Sequence, residues 1–297
     1  MRYITLLEFQ PGLTANIMPP SSYLEKTNGT LVAEQCRTVI DANGFMVSDR
    51  PLSADDKKVV LLGGSSIENL YIRDDARVLA QLEKALADRG QGAKVYSAGI
   101  SNAHLLHLVN ILINKGIALR PEYVVWFPTS GMDVMANEVE NGFWSASDAI
   151  STVRKAGKEL KPDLSCEFNN RNGFDDEQRL LRTMFAICRN FGIRLLVATW
   201  PVYGTYDDFA ALIEPNRREF EECDAQMRAL NDVIRLVCAQ EDGDLIDFDA
   251  EMASRNRPEY FYDRNHPNTK GCALIADLTA RVIAPYGGAP TTAPITA

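Results

Sequence analysis

The side chains best suited to chemistry in this 297-residue sequence are a serine beside two glycines and, near the far end, a carboxylate three residues before an imidazole. Val59-Val60-Leu61-Leu62-Gly63-Gly64-Ser65-Ser66 reads as a buried strand running into a tight turn with a hydroxyl at its tip. Asp263-Arg264-Asn265-His266-Pro267 sets acid and base together. A serine hydroxyl is a weak nucleophile until a base takes its proton, and that base needs a third group to hold its tautomer and stabilise its charged form. Ser65, His266 and Asp263 match those three roles, a constellation that suggests serine-hydrolase chemistry. The plainer readings are a turn cap or phosphate-cradling loop for Ser65 and Ser66, and helix capping for Asp263 and His266 ahead of Asn268-Thr269. Walker and dinucleotide glycine spacings are both absent.

Residues so far apart must be gathered by the fold, and the hydrophobic pattern predicts one that does so. Strands are expected at 59–62, 94–96, 123–127, 194–199 and 245–248, the third a continuous apolar run bounded by prolines. Helices are expected at 74–89, 103–116, 175–190, 214–240 and 269–283, with Asp74 and Asp75 in the first turn of the earliest, where the helix dipole favours acids. Strands alternating with helices imply parallel pairing and right-handed crossovers, hence a three-layer α/β/α sandwich on a five-stranded parallel sheet. Such a sheet collects the carboxyl ends of its strands at one edge, where ligands bind.

Three segments break the rhythm. Residues 1–57 read as an irregular or β-rich lead-in to a main domain at 58–286. Polar stretches at 134–174 and 203–215 read as insertions on the functional edge, and 287–297 as a Pro/Thr/Ala-rich disordered tail. A net charge of −9 without any Lys/Arg run argues against nucleic-acid binding. Cys36, Cys166, Cys188, Cys223, Cys238 and Cys272 form no CxxC pair and read as reduced, structural thiols. The N-terminus lacks the apolar stretch of a signal peptide and no segment is long enough to span a bilayer, so the expected location is the cytoplasm.

With these residues in place the chain resembles the SGNH (GDSL-type) hydrolases over roughly residues 58–284. The family's first block, Gly-Asp-Ser-Leu or a Gly-Gly-Ser variant, corresponds to Gly63-Gly64-Ser65-Ser66, and its last, Asp-x-x-His, to Asp263 through His266. The resemblance implies a flavodoxin-like fold, Ser65 as nucleophile, His266 as base and Asp263 as its orienting acid. It also implies ester hydrolysis or, in some branches, acyl transfer on carbohydrates. The middle blocks depart from the pattern. Gly99-Ile100-Ser101-Asn102 puts Asn102 where the family has a glycine whose amide is an oxyanion donor, and a backbone N–H survives that change. Thr129-Ser130-Gly131-Met132-Asp133 puts Met132 where the family has an asparagine donor, and a thioether donates no hydrogen bond. Loss of one such donor typically costs about a hundred- to a thousandfold in rate.

The expectation is therefore a serine esterase acting on a small acyl ester such as an O-acetyl carbohydrate, without cofactor or metal, the amides of Ser65 and Asn102 holding the oxyanion. Alternatives are a carbohydrate O-acyltransferase on the same residues, or a binding protein that kept the fold, which Met132 favours. Gly64, Ser130, His104 and Trp200 are the further substrate-contact candidates. His104 and His107 have an i, i+3 spacing that suits a metal, but no acid or cysteine joins them in sequence, and packing is the plainer reading.

Overall fold

The computed structural model describes residues 2–4, 6–129, 131–139, 141–145, 150–155, 173–202 and 217–286. Nine strands are described: β1 (Arg2–Ile4), β2 (Thr14–Ile17), β3 (Cys36–Val39), β4 (Lys57–Gly63), β5 (Ala93–Gly99), β6 (Tyr123–Trp126), β7 (Val153–Lys155), β8 (Arg194–Ala198) and β9 (Asp244–Ile246). Five of them form one parallel sheet in the order β5-β4-β6-β8-β9. Counted along the chain this is 2-1-3-4-5, the flavodoxin-like order, whose direction reverses between β4 and β6. Val59 through Leu62 and Val124 through Trp126 are fully buried, as expected of strands covered by helices on both faces.

The described helices are α1 (Ser21–Leu24), α2 (Ser65–Glu68), α3 (Val78–Ala87), α4 (Leu105–Ile111), α5 (Gly131–Glu138), α6 (Asp175–Asn190), α7 (Arg217–Gln240), α8 (Phe248–Met252) and α9 (Thr269–Ile283). On one side α3 packs against α9, and on the other α6 packs against α4 and α7, which gives the three layers. Beneath the carboxyl edge lies a buried aromatic cluster in which Trp200 meets Phe127, Phe248 and Phe261. Among the described residues no helix is long and apolar enough to cross a membrane. Cys36, Cys188, Cys238 and Cys272 are buried free thiols, and Cys166 lies outside the described residues.

Several expected elements have different bounds. The helix predicted at 74–89 is broken: Asp74–Ala76 is a separate 3-10 turn and α3 begins at Val78. Arg77 between them is extended, and its buried guanidinium donates to the carbonyls of Asn69, Leu70 and Ile72. The acids Asp74 and Asp75 therefore do not sit in the first turn of α3. The helix predicted at 103–116 is α-helical only from Leu105 to Ile111 and continues as one π-helical turn, Leu112–Gly116. The last strand stops at Ile246 because Asp247 caps α8, accepting from the Ala250 amide at 3.1 Å.

Within 1–57, β2 pairs antiparallel with β3, while β1 pairs with β7. Much of 134–174, and all of 203–215 and 287–297, lie outside the described residues.

Candidate active site

The turn that carries Ser65 begins with two glycines held side by side. Gly63 and Gly99 are register partners at the carboxyl ends of β4 and β5. A Cβ on Gly63 would come within 2.6 Å of Ile67, and one on Gly99 within 2.5 Å of the Glu68 amide. Only the absence of side chains at both positions lets α2 turn back across the end of the sheet. Ser65 is the first residue of that helix, so its amide has no intrahelical acceptor and its hydroxyl stands at the β4/β6 reversal point.

The loop carrying Asp263 and His266 meets it from the other end of the chain. Asp263 Oδ1 accepts from the amides of Asn265 and His266, both at 2.7 Å, which fixes the carboxylate in its own turn. His266 Nδ1 lies 2.8 Å from Asp263 Oδ2, and Nε2 lies 2.9 Å from Ser65 Oγ. A carboxylate only accepts, so Nδ1 carries the proton and Nε2 is left to receive the serine's. Burial alone would raise the Asp263 carboxyl. The facing His266 charge, its hydrogen bond and the two amides outweigh that and hold it below the ordinary carboxylate range. The Tyr262 ring stacks on the imidazole, 5.6 Å between centroids and 7° between planes.

Polar struts lock loop to helix. Asn265 Nδ2 donates to Ser66 Oγ at 3.0 Å, and the Ser66 hydroxyl donates to the Asn265 carbonyl at 3.3 Å. Asn69, left-handed at the end of α2, donates to the Pro267 carbonyl at 2.9 Å and accepts from the Tyr262 hydroxyl at 3.3 Å.

The two loops expected to supply oxyanion donors are also tied down. Asn102 has φ 63°, a conformation glycine adopts freely and asparagine tolerates, which accounts for asparagine standing where the family pattern has glycine. Its neighbour Ser101 donates its hydroxyl to buried Glu68, whose carboxyl burial pushes up against that bond. Buried Asp133 joins the two loops: Oδ1 accepts from the Leu105 amide and Oδ2 from the Thr129 amide, both at 2.7 Å. Burial raises Asp133, and raises Glu177, which lies close enough to feel its charge, further still. The Asn137 amide donates to Glu177 Oε2 at 3.4 Å. Met132 is half-buried in the first turn of α5.

Two of the residues read from the sequence as substrate contacts are corrected. His104 is completely buried, its Nε2 2.7 Å from the Ile150 carbonyl and its ring packed on His107 and Phe143, so it meets no solvent-borne ligand. Desolvation pushes its imidazole down to about 4. Trp200 is likewise completely buried, in the aromatic cluster. Gly64 is buried against Thr129, where a Cβ would come within 3.1 Å of that side chain, and Ser130 lies outside the described residues. Among the described residues no group of three or more His, Cys, Asp or Glu side chains could hold a metal ion. Sequence reading missed Tyr23, Glu68, Asn69 and Tyr262 at the site. Glu68 and Asn69, within a turn of Ser65, carried a local signal, whereas Tyr23 carried none.

No protein-family model matches the chain, and no curated protein matches it. Solved structures do. The acetyl xylan esterase AlAXEase superposes at TM-score 0.53 with 18% identity, over 76% of this chain and 99% of that one. A lipase/acylhydrolase from Enterococcus faecalis gives TM-score 0.52 and 16% identity, over 77% and 96%. A candidate lipolytic protein of the G-D-S-L family from Desulfitobacterium hafniense DCB-2 gives 0.52 and 13%, over 76% and 99%. Identities this low establish common architecture, and with its 2-1-3-4-5 sheet flanked by helices the chain has the fold of the SGNH (GDSL-type) hydrolases.

Proposed function

We propose that this chain is a serine esterase that removes a small acyl group, an O-acetyl group on a carbohydrate in the reading we favour. The observation that carries the proposal is the unbroken relay from Ser65 Oγ through His266 to Asp263, at 2.9 and 2.8 Å, on the edge of the sheet where this fold places ligands. The acetyl xylan esterase and the lipase/acylhydrolase that share the fold support an ester substrate, and the first of them a sugar ester.

In this mechanism His266 Nε2 takes the Ser65 proton as Oγ bonds to the ester carbonyl carbon, and the carbonyl electron pair moves onto oxygen. The Ser65 amide at the start of α2 and the Asn102 amide receive that oxyanion. Collapse breaks the bond to the alcohol, which leaves with the proton held by His266. Water, deprotonated by the same nitrogen, then attacks the acyl-serine carbonyl, and collapse breaks its bond to Oγ, which takes the proton back from His266 as the acid leaves. Asp263, held ionised below the ordinary carboxylate range, stabilises the imidazolium in both steps.

The test compares acetate release from acetylated xylan oligosaccharides and from a simple phenyl acetate, in the wild type and in Ser65→Ala. Release that depends on Ser65 with either substrate supports the esterase, and a preference for the sugar ester supports the carbohydrate reading. Equal turnover by Ser65→Ala overturns it.

A further inference from the structure

The lead-in is pinned to the loop that holds Asp263 and His266. Asn28 Nδ2 donates to the carbonyls of Pro258 and Phe261 at 2.9 and 2.7 Å, and the Asn28 amide donates to the Tyr262 carbonyl at 2.8 Å. Asn268 Nδ2 donates to Thr30 Oγ1 at 3.2 Å. These anchors bring α1 over the loop, and the Tyr23 hydroxyl comes to rest 3.4 Å from Asp263 Oδ2, the oxygen that faces His266 Nδ1. The Tyr23 ring packs on Tyr71 at 4.8 Å and edge-on against Tyr262 at 6.4 Å, and Tyr262 in turn stacks on His266.

We propose that Tyr23 is a positioning residue of the Ser65–His266–Asp263 relay, its phenol donating to Asp263 Oδ2 and so fixing the carboxylate against the imidazole. The inference rests on the reading of those three residues as the reaction centre. Asp263 Oδ1 is filled by two backbone amides, and Oδ2 has two lone pairs, of which His266 Nδ1–H uses one. Tyr23 takes the other, so the carboxylate cannot rotate without losing several bonds together. Burial and the charge of Asp263 raise the phenol's own pKa, which keeps it a donor. A bond of 3.4 Å is long, and catalytic hydrogen bonds that are long in unliganded enzymes tighten in the reacting complex.

Sharing Oδ2 also has an electrostatic consequence. A second donor weakens that oxygen as the acceptor for Nδ1–H and opposes a further proton on the ring. Removing the phenol hydroxyl should therefore strengthen proton binding by His266. Glu68 on α2, itself bonded to Ser101, also faces His266, and the Tyr262 ring stacks on the imidazole. Both remain in Tyr23→Phe, which removes one hydroxyl together with its bonds to Asp263 and Tyr262.

The experiment is a ring-15N NMR titration of the three histidines in wild type and Tyr23→Phe, joined to steady-state kinetics on a short acyl ester. His104, pushed down to about 4, is out of the way. The midpoint of the His266 titration is expected to move up by about half a unit or more in Tyr23→Phe. kcat is expected to fall about tenfold, equivalent to about 1.4 kcal/mol, with KM unchanged. Tyr23→Ala, which also removes the ring, should lower thermal stability, a loss that Tyr23→Phe should largely avoid. An unmoved midpoint in a folded Tyr23→Phe protein overturns the proposal, and so does an effect confined to KM, which would make Tyr23 a substrate contact. The titration reads the tyrosine's hold on Asp263 whether or not the protein turns over ester. Failure of the esterase reading would appear separately, as Ser65→Ala hydrolysing like the wild type.

Discussion

In the proposed mechanism Ser65, His266 and Asp263 each have one job, and substitutions should separate those jobs. Asp263→Asn keeps the shape but presents an amide to His266 Nδ1, which favours the wrong tautomer. Ester turnover is expected to fall about ten-thousandfold, with the fold intact by circular dichroism. The oxyanion side predicts a gain. Met132 sits in the first turn of α5, where the family pattern has an asparagine donor, and it gives nothing to a developing oxyanion. Met132→Asn should raise kcat by about tenfold or more, part of the hundred- to thousandfold that such a donor supplies. An unchanged kcat would mean that the chain already completes its hole by other means. The meeting of Ser65, His266 and Asp263 was legible in the sequence because acid and base are three residues apart and the serine follows a strand and two glycines. The phenol on Asp263 was not, since Tyr23 is 240 residues away and no local pattern marks it.

At the scale of elements, the site depends on backbone approach and on buried acids. Gly99→Ala places a methyl within 2.5 Å of the Glu68 amide, so α2 must shift. A cost of about 1 to 3 kcal/mol is expected in chemical denaturation, with a parallel loss of activity because Ser65 moves with its helix. The Asp133–Glu177 pair makes a prediction with a definite sign. Burial raises both carboxyls, so the folded chain binds more protons than the unfolded one, and stability falls as pH rises from the ordinary carboxylate value of 3.8 through about 6 for Asp133 and on beyond that for Glu177. Glu177→Gln removes the harder-pressed charge and should raise the melting temperature near neutral pH while flattening that slope. Thermal melts between pH 4 and 8 check it. The strand and helix rhythm was readable because apolar runs and 3.6-residue periods survive in the sequence. The break at Arg77 was not, because it is set by a buried guanidinium satisfying three carbonyls of the preceding loop. Nor was the burial of His104 and Trp200, which depends on Phe143, Ile150 and the aromatic cluster closing over them.

Over the whole molecule, the parallel sheet turns separation in sequence into proximity. Ser65 follows β4, next to one edge of the sheet, and Asp263 and His266 arrive after β9 at the other edge, yet the relay closes at 2.9 and 2.8 Å. The lead-in before β4 joins the same assembly through Asn28 and Tyr23. Whether this assembly makes Ser65 a nucleophile is read by treating the folded protein with a fluorophosphonate and mapping the modified peptide by mass spectrometry. A single adduct at Ser65 is expected in the wild type, with its near-complete loss in His266→Ala. No adduct at Ser65 in folded protein, or equal labelling in His266→Ala, would contradict it.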